Sequence, residues 1–272
     1  MKFGVTISTF PAGKRPATFG DGNFLTHINT IKSLGFDGID IFILPMPKNE
    51  LVSLKNALIK NDLEAIVIFP VILIIEKVFL GDTDSEKRKK AINLFKKQID
   101  DAQFLNANIV IGLDRGNKKI AAKSNCFTKI LSESLEELSF YAMEKNVSIF
   151  LEPISRSIIN NLNTVEECLE FLYKYNLTFI KLLLDTYHMF REEKTIEKSI
   201  KLAKSKIGHI HISDSNRGIP GSGEIDFKKI INTLKEVKYN DYLTIETPPL
   251  LNREKALKKS LNMLRNIIKE IN

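Results

Sequence analysis

Four short stretches carry side chains suited to holding a cation and moving a proton: LEPISR, LDTYHM, HIHISDSNR and TIETP. Each sits where an apolar run stops. They place Glu152, Asp185, His211 and Glu246 along the C-terminal half, 33, 26 and 35 residues apart. Three carboxylates and one imidazole offer mainly oxygen ligands. That set suits Mn²⁺ or Mg²⁺, with Co²⁺ also admissible, better than zinc, since no thiolate is on offer. Burying a carboxylate is costly unless it is paired or metal-bound. The four together are therefore read as a metal site in preference to a structural hydrogen-bond network.

Other polar residues lie close by. His188 follows Asp185 by three residues, in the loop expected after the sixth strand. It could be a further metal ligand, a substrate contact or a surface histidine, and substrate contact is favoured. His209 and His211 are two apart and share one face of a strand. His211 is nearer the tip and is the better ligand, while His209 reads as a satisfied polar group inside the fold. Arg217 lies in SNRGIPGSG, whose glycines and proline suit tight turns near a ligand. Its guanidinium could fork onto substrate oxygens or face solvent. Arg156 reads equally as an ion-pair partner or a substrate contact.

The elements that would position these residues alternate from end to end. Strands are expected at Phe3–Ser8, Gly38–Ile43, Glu64–Phe69, Asn108–Gly112, Val147–Glu152, Phe179–Asp185, Ile207–Ser213 and Tyr242–Glu246. Most are short runs rich in Ile, Val, Leu and Phe, the mark of strands buried on both faces. Amphipathic helices are expected near 24–34, 48–61, 84–105, 124–145, 164–175, 195–204, 227–237 and 252–270. Thr164 with Glu167 looks like a capping box, and Asp226 is placed to cap the next helix. One strand–helix unit of a (β/α)₈ barrel takes roughly 30 residues, which matches the spacing of the four candidate ligands. The expected class is thus α/β, a single-domain (β/α)₈ TIM barrel with its site at the C-terminal ends of the strands. A doubly wound sheet would need a glycine-rich fingerprint after the first strand, and GVTISTFPAG lacks one.

Composition narrows the function classes. The chain has 272 residues, 43% of them hydrophobic, and no Ser/Gly/Pro-rich linker. No long uncharged apolar run suggests a membrane span, and MKFGVTISTF does not resemble a signal peptide. The two cysteines, Cys126 and Cys168, fall in expected helices and form neither a zinc pattern nor a disulfide framework. A cytoplasmic location is expected. The net charge of +7 comes from lysines dispersed among acids, which reads as solvated helix faces and not as a nucleic-acid surface.

LEPISR, LLLDTYHMFREE, HIHISDSNRGIPGSGEIDF and TIETP together resemble the xylose-isomerase-like barrel superfamily. Within it they are most similar to the ketose 3-epimerases, the D-tagatose and D-psicose (allulose) 3-epimerase group. The resemblance implies one divalent ion, Mn²⁺ foremost, on Glu152, Asp185, His211 and Glu246, with His188 and Arg217 touching a small-molecule sugar. It implies a homo-oligomer, dimer or tetramer. It also implies a reaction: a metal on O2 and O3 of a ketose polarises the C2 carbonyl, and Glu152 and Glu246 remove and return the C3 proton through an enediolate. One departure stands out. Family members commonly carry Phe-Glu after the E-P-x-x-R arginine, and this chain has Ser157-Ile158. Rival readings on the same barrel are an aldose–ketose isomerase of hydroxypyruvate-isomerase type and a sugar-acid or inosose dehydratase. An endonuclease IV-like DNA-repair enzyme would need more than the four histidines present.

Overall fold

The structure, a computed structural model, describes residues 1–118 and 124–271. Eight strands close into a barrel in chain order. They are β1 (Lys2–Ser8), β2 (Gly38–Ile43), β3 (Glu64–Pro70), β4 (Asn108–Ile111), β5 (Ile149–Leu151), β6 (Lys181–Asp185), β7 (Ile207–Ile212) and β8 (Tyr242–Ile245). Every neighbouring pair is parallel, including β8 with β1. The described helices are α1 (Phe24–Leu34), α2 (Lys48–Lys60), α3 (Ile72–Glu76), α4 (Ser85–Leu105), α5 (Ser124–Glu144), α6 (Val165–Lys174), α7 (Thr186–Glu192), α8 (Ile196–Ala203), α9 (Phe227–Glu236) and α10 (Arg253–Ile271). Among the described residues no helix is long and apolar enough to cross a membrane.

Two apolar clusters follow from strands buried on both faces. The larger lies between strands and helices and includes Ile39, Ile41, Ile109, Ile111, Leu182, Leu184, Ile210 and Ile245. The smaller gathers Phe42, Val67, Phe69, Val110, Phe150, Leu183 and Tyr242 from the opposite strand faces. That is the packed interior expected of a small parallel barrel.

The helix starts behave as their sequences indicate. Thr164 Oγ1 accepts from Glu167 N–H at 3.1 Å, and Asp226 Oδ1 accepts from Lys229 N–H at 3.1 Å. Two elements differ from expectation. The apolar segment after β3 forms the short helix α3. His188 lies in helix α7 and not in a loop. The cause of the second is local: Asp185 Oδ1 accepts from Tyr187 N–H at 2.8 Å and caps α7 as soon as β6 ends.

Candidate active site

Each of the four candidate ligands is set at a strand tip by backbone pairing. Glu152 lies one residue beyond β5, where its N–H still bonds Ile111 O at 3.1 Å. Glu246 lies one residue beyond β8 and bonds Ile212 O at 3.3 Å. Asp185 ends β6, and His211 stands in register with it from β7. All four side chains are buried. One ligand-type atom from each of Glu152, Asp185 and His211 lies within 4.8 Å of the others. Glu246 joins them through His211, with Oε1 3.3 Å from Nδ1.

The two expected substrate contacts stand beside this group. Arg217 Nη2 donates to Glu246 Oε2 at 2.7 Å, and Nη1 is 3.6 Å from Asp185 Oδ2. The guanidinium also lies 4.6 Å from the centre of the Tyr187 ring, within cation–π range. Its backbone is left-handed, with φ 58°, a conformation uncommon for a residue with a side chain. Asp214 holds it there: its carboxylate accepts from the N–H groups of Ser215, Gly221, Ser222 and Ile225 at 2.8–3.0 Å. His188 Nε2 is 3.9 Å from Asp185 Oδ2 and 4.0 Å from Glu152 Oε1. The structure therefore brings together all six residues singled out in the sequence. Arg156 instead pairs with Glu167 at 2.8 Å and Glu192 at 3.1 Å, the ion-pair reading.

Sequence reasoning missed three supporting residues. Asp40 of β2 bonds both His209 and His211 inside the barrel. Asp214 shapes the Arg217 loop. Arg115, in a 3₁₀ turn after β4 (Leu113–Arg115), is fully buried and donates to Glu152 O at 2.9 Å and Gly112 O at 2.7 Å. Gly112 lets the Glu152 carboxylate approach closely: a Cβ there would lie 3.1 Å from Glu152 Oε2, which would have to shift. An acid inside the apolar run GIDIFI was the available signal for Asp40. For Arg115 no such signal exists, because its partners are mostly backbone carbonyls.

Glu152, His188, Arg217 and Glu246 line a cleft of about 130 Å³. Its walls are largely apolar, with Phe42, Val71, Ile74, Leu113, Ile154 and Ile158 among them. Arg15 and Pro16 of the β1 loop also border it.

The donor set fits a divalent cation. Asp185 Oδ2 and His211 Nδ1 are buried and, among the described residues, have no hydrogen-bond partner. His211 Nδ1 is close to Glu246 Oε1 but not aligned for a hydrogen bond. Burying unsatisfied polar atoms is costly, and a cation between them would satisfy both.

Electrostatics describe the same group without a cation. Burial, reinforced by the Glu246 carboxylate, pushes Glu152 up to about 8. Burial pushes His188 down to about 4, so it is neutral at neutral pH and its approaches to Asp185 and Glu152 are not ion pairs. Burial would also lower His211, but Glu246 and Asp40 outweigh it and raise His211 well above its ordinary value. Glu152 folded therefore holds a proton that it loses when unfolded, between its ordinary 4.5 and about 8. Stability from this group is full below that window and is lost as pH rises through it. His211 acts with the same sign above 6.5. In chelator, the thermal midpoint of Glu152→Gln should fall less steeply between these pH values than that of the wild type. Parallel slopes would contradict the assignment.

A family model described as "Xylose isomerase-like TIM barrel" matches residues 28–267. The chain belongs to that family. Among its relatives, the L-ribulose 3-epimerase of Methylomonas sp. (strain DH-1) is 38% identical over 114 residues, 42% of this chain and 40% of that protein. The hydroxypyruvate isomerase of Escherichia coli is 25% identical over 252 residues, 88% of this chain and 93% of that protein. The matches span less than two thirds of the 3-epimerases that this xylose isomerase-like barrel resembles in sequence. In fold, a D-psicose 3-epimerase from Clostridium cellulolyticum H10 superposes with a TM-score of 0.84, covering 98% of this chain and 99% of that one at 21% identity.

Proposed function

We propose that this chain is a metal-dependent isomerase that epimerises a ketose at C3. The observation that carries the reading is the placement of Glu152 and Glu246. They are two buried glutamates at the tips of β5 and β8, three steps apart in the ring of eight, both lining one cleft and both beside His211. Inverting a carbon requires a proton to leave one face and return to the other, so two acid–base groups must flank it. Relatives named as L-ribulose and D-psicose 3-epimerases support the assignment.

Glu152, Asp185, His211 and Glu246 would hold the cation, with Mn²⁺ the best match to the donors. Bound there, it would polarise the C2 carbonyl and offset the negative charge that grows as the C3 proton leaves. The protein's own groups do the rest. One glutamate takes the proton from C3, and the other delivers a proton to the opposite face. Running the reaction backwards exchanges their roles. Arg217, anchored on Glu246, and neutral His188 offer N–H groups to the sugar oxygens. The apolar walls exclude water, which protects the intermediate and strengthens these interactions.

The test is a panel of ketoses and ketose phosphates in heavy water with Mn²⁺, followed by NMR. Deuterium at C3 accompanied by the C3 epimer is expected. An aldose product without any C3 epimer would overturn the reading.

A second reading, isomerisation of a small keto acid of hydroxypyruvate type, is favoured by one observation. Arg15 borders the cleft, donates to Ala12 O at 3.3 Å, and has no carboxylate partner among the described residues. A free cation there suits an anionic substrate. Activity on hydroxypyruvate that falls in Arg15→Gln would establish it.

A further inference from the structure

Asp40 is a carboxylate of the barrel interior that the proposed chemistry does not use. Asp40 lies within β2, is fully buried, and stands where a register irregularity separates it from Ile39 in the pairing with β3. Bulges of this kind re-aim side chains beside functional sites. Asp40 Oδ2 lies 2.7 Å from His209 Nε2 and 2.8 Å from His211 Nε2. Its Oδ1 has no hydrogen-bond partner among the described residues. The strands involved, β2 and β7, are not neighbours; β1 and β8 lie between them. The bond therefore crosses the barrel and serves no sheet pairing.

With Nε2 held by Asp40, His211 has a single nitrogen left for the cleft. That nitrogen, Nδ1, is the one near Glu246 and without a hydrogen bond. We propose that Asp40 is the positioning residue of the metal centre, fixing the rotamer and tautomer of His211 so that the Nδ1 lone pair faces Glu152 and Asp185. The inference rests on the metal-site reading above. His209, bonded to the same oxygen, buttresses Asp40 and does not reach the cleft floor. Partners that orient a ligating histidine set its basicity as well as its direction. A strand that supplies no ligand thereby controls the affinity of the site.

The test measures Mn²⁺ binding by calorimetry to the wild type, D40N and H209N, with thermal melts to show that each is folded. D40N is nearly isosteric but lacks the charge. It should bind Mn²⁺ about 10–100-fold more weakly, whereas H209N, which keeps the Asp40–His211 bond, should lose less than about threefold. Should D40N not fold, imidazole nitrogen NMR of the wild type loaded with the magnetic isotope of cadmium gives the answer directly. Coupling at His211 Nδ1 with a proton on Nε2 supports the proposal, and coupling at Nε2 overturns it. Equal losses in D40N and H209N would make the triad a structural clamp and overturn it too, as would D40N binding like wild type. A wild type that takes up no divalent ion fails at the metal reading itself, before any substitution is compared.

Discussion

Glu152→Gln and Glu246→Gln should each lower C3 epimerisation by about 10³-fold, within the range for one positioned acid–base group. Glutamine keeps the shape and one oxygen for ligation but accepts no proton. The two changes should not behave alike in proton exchange. With one glutamate intact, one epimer can still lose its C3 proton on that face and recover a solvent proton there without inversion. Each variant should therefore wash deuterium into one epimer only, and into opposite ones. The double variant should be scarcely slower than either single, because the two groups act as a unit. Initial rates and NMR of recovered substrate measure both effects. Two single variants that epimerise within about tenfold of wild type would remove the acid–base pair from the mechanism.

Arg115→Met should cause a large loss of stability although the residue lies outside the cleft lining. The guanidinium is wholly buried and donates five hydrogen bonds: to Gly112 O, Glu152 O, Asn161 Oδ1, Asn161 O and Leu162 O, at 2.7–3.2 Å. Methionine fills much of the volume and satisfies none of these acceptors. Each abandoned buried acceptor costs about 1–3 kcal/mol, not additively. A total near 4 kcal/mol is expected, which is exceptional for a point change. For a chain of this size it corresponds to a drop of about 10 °C in melting temperature. Arg115→Lys should recover little, since a single ammonium cannot span the fork. Because Glu152 O is one acceptor, the folded fraction should also turn over more slowly. A melting temperature within about 2 °C of wild type would show that the carbonyls find other partners.

Much of the site was legible because barrel geometry writes it into the sequence. Glu152, Asp185, His211 and Glu246 each end an apolar run, and their spacing is that of strand–helix units. The interior role of His209 followed from its two-residue offset from His211. What escaped has a common physical character. Arg115 acts on backbone carbonyls, which every residue possesses, so nothing in its neighbours announces it. Asp40 matters through a contact between strands separated by 169 residues in the chain from His209. The helical setting of His188 was missed because α7 has only seven residues. Its start depends on a carboxylate that looked fully committed to the cation.

The six residues proposed for the reaction all come from the last four strand–helix units. The facing wall, with Arg15, Phe42, Val71 and Ile74, comes from the first three. The groups proposed for proton transfer thus sit in one half of the polypeptide, and part of the cleft wall comes from the other. Side chains of this facing wall can be varied without replacing any of the six residues proposed for the reaction. A directed-evolution library confined to the partly buried wall residues Arg15, Pro16 and Ile74 should change sugar preference while leaving the fold intact.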